Sequence, residues 1–124
     1  MKIINALAER KRPFYSLEFF PPKDETQWPE FFEAVDKLKS LDPLFASVTY
    51  GAGGGTQDNT LVITKKIKDM GLNPMPHLTC VNATQDRLAA FLRELEDIGV
   101  CNVMALRGDA PQTEDFSWDS GEFR

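Results

Sequence analysis

Short apolar runs recur along the chain at near-regular intervals, and each is followed by a segment whose apolar residues return every three or four positions. The runs Phe14–Phe20, Leu44–Tyr50, Met75–Val81 and Val100–Leu106 have the length of β-strands. Between the first two, Trp28, Phe31, Phe32, Val35 and Leu38 form one stripe at helical spacing, with Lys37 and Lys39 near its negative C-terminal end and Asp42-Pro43 as a stop. A second helix is predicted from an N-cap at Thr56 or Asp58, with Leu61, Ile67 and Met70 turned inward and Gly71 ending it. A third runs from Thr84, with Leu88, Phe91, Leu92, Leu95 and Ile98 inward and Gly99 as its terminator. A short amphipathic helix over residues 2–10 precedes the first strand.

Strand and helix therefore alternate, and the strands are mostly continuous in apolar character. That combination predicts an α/β fold with a parallel sheet buried on both faces. Two architectures fit: an open doubly wound sheet, or parallel β/α units forming the first half of a TIM (β/α)8 barrel, since a whole barrel takes roughly 250 residues. The segment Ala110–Arg124 is polar and without a periodic apolar face. The expectation is one domain over residues 1–124, a barrel cut short after its fourth strand.

Composition narrows the class further. With 42% hydrophobic residues and thirteen aromatics, the chain has the bulk for a core, which argues against disorder. Fourteen basic against nineteen acidic residues give a net charge of −5, and the longest basic run is Arg10-Lys11-Arg12. Non-specific nucleic-acid binding, which depends on neutralising phosphates, is disfavoured. No stretch approaches the roughly 20 apolar residues of a spanning helix, and the N-terminus lacks the apolar core of a signal peptide. A cytoplasmic location is expected. Cys80 and Cys101 lie in apolar runs rather than in a paired motif and read as buried free thiols; with a single histidine, a zinc site is not expected.

The chemistry-bearing residues follow the strands. Glu18, Thr49, His77 and Asp109 stand at or near successive strand ends, 31, 28 and 32 residues apart, one β/α unit each. In a parallel sheet or barrel all four converge on the rim where ligands bind. Glu18 is flanked by Leu17 and Phe19-Phe20, and an apolar enclosure would favour the protonated form that a general acid needs. The alternative is a buried carboxylate paired with Lys23 or Arg107. The cluster Gly51-Ala52-Gly53-Gly54-Gly55-Thr56 matches neither a dinucleotide fingerprint nor a P-loop. It remains either a close approach of backbone to an anionic ligand or a plain turn. His77 is either a rim ligand or a satisfied structural histidine. Arg107-Gly108-Asp109 offers a cation, a permissive backbone and a carboxylate, or a surface salt bridge.

Four segments together carry a specific resemblance. Ser16-Leu17-Glu18-Phe19-Phe20-Pro21-Pro22-Lys23, Val48-Thr49-Tyr50-Gly51-Ala52-Gly53-Gly54, Pro76-His77-Leu78-Thr79-Cys80 and Ala105-Leu106-Arg107-Gly108-Asp109 closely resemble signature segments of the bacterial-type methylenetetrahydrofolate reductase family, in order and spacing. The resemblance implies a flavoprotein barrel that takes a hydride from NAD(P)H onto FAD and passes it to 5,10-methylenetetrahydrofolate, giving 5-methyltetrahydrofolate for methionine supply. It implies that Glu18 is the general acid acting on N10 of the folate and that Thr49 lies on the nicotinamide side. It further implies that Tyr50, Ala52, His77, Arg107, Gly108 and Asp109 contact the flavin, with Asp109 also meeting the pterin. The triple glycine at 53–55 is richer than the family's loop, and the family's later strands are absent. A non-catalytic flavin- or folate-binding half-barrel, or a fragment working only with a partner chain, is the alternative. A half-barrel leaves strand edges open, so a homo-oligomer is expected.

Overall fold

A computed structural model describes residues 1–49, 57–80 and 83–108. The helix α1 (Ile3–Glu9) leads into β1 (Ser16–Phe19), α2 (Trp28–Leu38), β2 (Phe45–Val48), α3 (Gln57–Asp69), β3 (Pro74–Thr79), α4 (Gln85–Asp97) and β4 (Met104–Leu106). Single 3₁₀ turns flank α2 at Glu25–Gln27 and Lys39–Leu41. The strands are parallel and lie in the order β1-β2-β3-β4.

That order decides between the two candidate architectures. A doubly wound sheet reverses direction at a switch point and carries helices on both faces. Here the chain steps along the sheet one strand at a time, and the core lies on one side. The register pairs Leu17 with Ala46 and Phe19 with Val48, while Val48 pairs with Pro76, two residues before Leu78. Strand alternation puts all of these on one face. Phe19, Ala46 and Val48 pack with Phe32 and Val35 of α2 and Ile63 and Ile67 of α3. Leu78 packs with Leu88, Phe91 and Leu95 of α4. Each Val, Leu, Ile or Phe among them contributes about 1.5–3 kcal/mol when fully buried. The protein is an α/β fold built of consecutive parallel β/α units, in the strand order of the first half of a (β/α)8 barrel.

The expected burial on both faces holds for the inner strands and fails at the edges. Three of four β2 residues are buried, whereas Ser16 and Glu18 of β1 and Ala105 and Leu106 of β4 are exposed. All four strands are also shorter than their apolar runs.

The helix ends follow the sequence closely. Gly71 and Gly99 take φ of +90° and +72°, the left-handed conformation that a Cβ disfavours. At the first, the Gly71 amide donates to the Lys68 carbonyl and the Leu72 amide to that of Ile67. The Gly99 and Val100 amides repeat the pattern onto Glu96 and Leu95. In both cases the residue after the glycine is buried in the same cluster as the side chain of the residue whose carbonyl accepts its amide, Leu72 with Ile67 and Val100 with Leu95. The Thr84 hydroxyl accepts the Arg87 amide at 3.3 Å, the N-cap expected for α4. Before α2, the Asp24 carboxylate accepts the Thr26 hydroxyl at 2.7 Å and its amide at 2.9 Å, and these bonds hold the acid below its ordinary value of 3.8.

Several packing expectations are corrected. Leu92 is exposed, lying beside rather than on the stripe formed by Leu88, Phe91 and Leu95. Among the described side chains of α3, Thr60 and Thr64 are buried beside Ile63 and Ile67, while Leu61 and Met70 are half-buried and pack against the two clusters as expected. Cys80 is half-buried and Cys101 exposed, because residues 101–103 precede β4 instead of belonging to it.

Candidate active site

The face of the sheet opposite the helices carries the polar side chains. By the same alternation it receives Glu18 from β1, Ser47 and Thr49 from β2, and His77 and Thr79 from β3. Glu18 pairs directly across the ladder with Ser47, and His77 with Met104. Thr49, one residue past β2, is held at the rim by its amide, which donates to the Phe19 carbonyl at 3.0 Å.

Glu18 is the hub. The Ser47 hydroxyl lies 3.1 Å from its Oε2, and His77 Nε2 lies 3.5 Å from the same oxygen. The latter contact is long for a hydrogen bond and ionic only when the imidazole is protonated. His77 Nε2 is buried with no hydrogen-bond partner among the described residues. The expected apolar enclosure of Glu18 is not found. Leu17 and Phe19 point to the helix side, and the Glu18 side chain is 46% exposed on the concave side. Among the described residues, Ser47 and His77 stand against it.

Arg107 and Gly108 follow β4 directly, at the same C-terminal end of the sheet, where Gly108 turns the chain with φ of +87°. Tyr50, Ala52, Asp109 and the glycine cluster lie outside the described residues, as does Thr56; α3 begins at Gln57, so Asp58 falls inside the helix. The structure thus brings Glu18 and His77 together, with Thr49 on the same face and Arg107 at the same end. Ser47 escaped the sequence reading. Its signal was available: in Phe45-Ala46-Ser47-Val48-Thr49 it is two residues from Thr49 and so shares its face. A cleft of about 550 Å³, lined by Arg10, Arg12, Phe14, Tyr15, Leu41 and Asp42, sits at the opposite, N-terminal ends of β1 and β2, away from these groups.

Parallel β/α units with polar groups gathered toward the C-terminal strand ends define a protein of the class that binds its ligands at the rim of a β/α sheet. The comparisons make the assignment specific. The family model for methylenetetrahydrofolate reductase matches residues 3–124. The 5,10-methylenetetrahydrofolate reductase of Escherichia coli (strain K12) is 46% identical over 97 residues, covering 77% of this chain and 33% of the relative. Methylenetetrahydrofolate reductase (NADH) 1 of Arabidopsis thaliana is 39% identical over 113 residues, covering 90% of the chain and 19% of the relative. Methylenetetrahydrofolate reductase 1 of Schizosaccharomyces pombe is 35% identical over 127 residues, covering 98% and 21%. The chain belongs to the methylenetetrahydrofolate reductase family, and it spans about a third of the length of the bacterial relative.

Proposed function

We propose that this chain supplies the first four β/α units of an enzyme that reduces 5,10-methylenetetrahydrofolate to 5-methyltetrahydrofolate with NAD(P)H, through FAD. The observation that carries this reading is the cluster of Glu18, Ser47 and His77 on the concave face, at the strand ends of a chain of this family.

The residues present fit a flavin. A buried imidazole nitrogen without a partner is costly, about 1–3 kcal/mol, and the polar edge of a flavin ring would satisfy His77 Nε2. Arg107 and Gly108 would join it in holding the ring, with Tyr50, Ala52 and Asp109 completing the set and Thr49 lying on the nicotinamide side, by family resemblance. A bound flavin would relay two electrons, as a hydride, from NAD(P)H to the folate. The chain's own contribution is proton control. The Glu18 carboxyl donates its proton to N10 of the folate, the bond between N10 and the bridging methylene carbon breaks, and N5 is left double-bonded to that carbon as an iminium. The carbon then accepts the hydride and becomes the methyl group, while Glu18, now a carboxylate, regains a proton from water. Partial exposure suits this role, because the side chain must reach both substrate and solvent.

Glu18→Gln in the holoenzyme containing this chain tests the reading. Flavin reduction by NAD(P)H should proceed as before, while its reoxidation by methylenetetrahydrofolate should fall by about 10²–10⁴, the usual worth of a general acid. Equal loss in both half-reactions, read by flavin absorbance in stopped flow, would remove Glu18 from the role.

A further inference from the structure

An acid that transfers a proton must be held where the substrate nitrogen arrives, yet Glu18 is a half-exposed side chain with three rotatable bonds. Unrestrained, it would sample several rotamers. Among the described residues, the group that restrains it comes from the neighbouring strand. We propose that Ser47 is the positioning residue of Glu18, an inference that rests on the acid role argued above.

Ser47 lies directly opposite Glu18 in the β1–β2 register, with hydrogen-bonded ladder on either side, and is only 4% exposed. Its hydroxyl therefore has few partners to choose from: Glu18 Oε2 at 3.1 Å and the Leu17 carbonyl at 3.4 Å. It carries one proton, and the shorter contact, to an oxygen that bears charge once the acid has ionised, is the stronger bond. His77 cannot replace it, since its nearest nitrogen stands 3.5 Å from Oε2 without a hydrogen bond. Donation to Oε2 has a chemical consequence. In the neutral acid the oxygen that accepts from Ser47 is the carbonyl oxygen, so the transferable proton resides on Oε1. Ser47 fixes both the direction of the carboxyl and which of its oxygens is the donor, without touching the folate.

The test compares Ser47→Ala, Ser47→Cys and Glu18→Gln in the holoenzyme, with the two half-reactions followed separately. Alanine removes the donor at nearly constant volume, and cysteine keeps the side-chain shape with a somewhat larger atom and a much weaker donor. Both are expected to leave flavin reduction by NAD(P)H at its original rate. Both should slow reoxidation at saturating methylenetetrahydrofolate by about tenfold to a hundredfold, the scale of a hydrogen bond to a charged group, with little change in the folate KM. Wild-type reoxidation in either serine variant would overturn the proposal, as would equal slowing of both half-reactions, the mark of a merely structural residue. A Glu18→Gln enzyme that still reoxidises normally would instead overturn the acid role itself, and the Ser47 proposal with it. The two failures are therefore told apart by which variant retains the folate step.

Discussion

Two buried polar atoms lack hydrogen-bond partners among the described residues, and where each sits separates stability from function. His77 Nε2 belongs to the concave face beside Glu18, whereas Thr64 Oγ1 is fully buried on α3, next to Ile63 and one turn before Ile67. A buried hydroxyl without a partner loses its water and gains nothing in return. Valine has nearly the same shape and a similar helix propensity. Thr64→Val is expected to stabilise the protein by about 1 kcal/mol, a few degrees of melting temperature, and to leave flavin and folate chemistry unchanged. A lowered melting temperature in calorimetry would mean that the Thr64 hydroxyl is satisfied in the folded protein. The same substitution logic does not extend to His77, whose unmet nitrogen lies 3.5 Å from Glu18 Oε2.

The elements differ in what holds them. The helix α1 has seven residues, too few to persist alone, and only Ala6 is buried. Its attachment is Asn102, whose Oδ1 accepts the Ile3 amide at 2.8 Å and whose Nδ2 donates to the Met1 carbonyl at 2.8 Å and to Asn73 Oδ1 at 3.2 Å. Asn102→Ala should cost about 1–2 kcal/mol and raise amide exchange across residues 3–9 while α2 to α4 stay protected; unchanged exchange there would show that α1 is held otherwise. This staple joins residues about a hundred positions apart and leaves no trace in local pattern, which is why sequence could not supply it. What sequence could supply was local: the glycine terminators at Gly71 and Gly99, the Thr84 cap, and the β/α alternation. Strand alternation was underused. Reading Leu17 and Phe19 as an enclosure for Glu18 took neighbours in sequence for neighbours in space, and the same oversight passed over Ser47. Leu92 failed for a related reason, because a four-residue step from Leu88 carries it to the margin of the stripe. The strand order, which chose between the two architectures, depends on pairing between distant segments and was legible only through family resemblance.

At the scale of the whole molecule, the described sheet ends in two strands paired on one side only. Among the described residues β1 pairs only with β2 and β4 only with β3, so each presents unpaired amides and carbonyls along one edge. Exposed apolar side chains cluster beside these edges: Phe14, Tyr15 and Phe20 flank β1, and Leu106 belongs to β4. A parallel edge with apolar neighbours is a template for another strand. In relatives roughly two to five times this length, further chain is available to pair with it. The 124 residues alone are therefore expected to associate through β1 and β4, giving dimers or larger species in sedimentation velocity, and to bind FAD weakly because they match only a third or less of the relatives' length. Charged substitutions on the exposed edge, such as Tyr15→Lys with Leu106→Lys, should shift the population toward monomer without unfolding the helix-side core, since neither residue belongs to its clusters. A monodisperse monomer from the unaltered chain would show that these edges are already satisfied, and that the first four units are a finished structure in their own right.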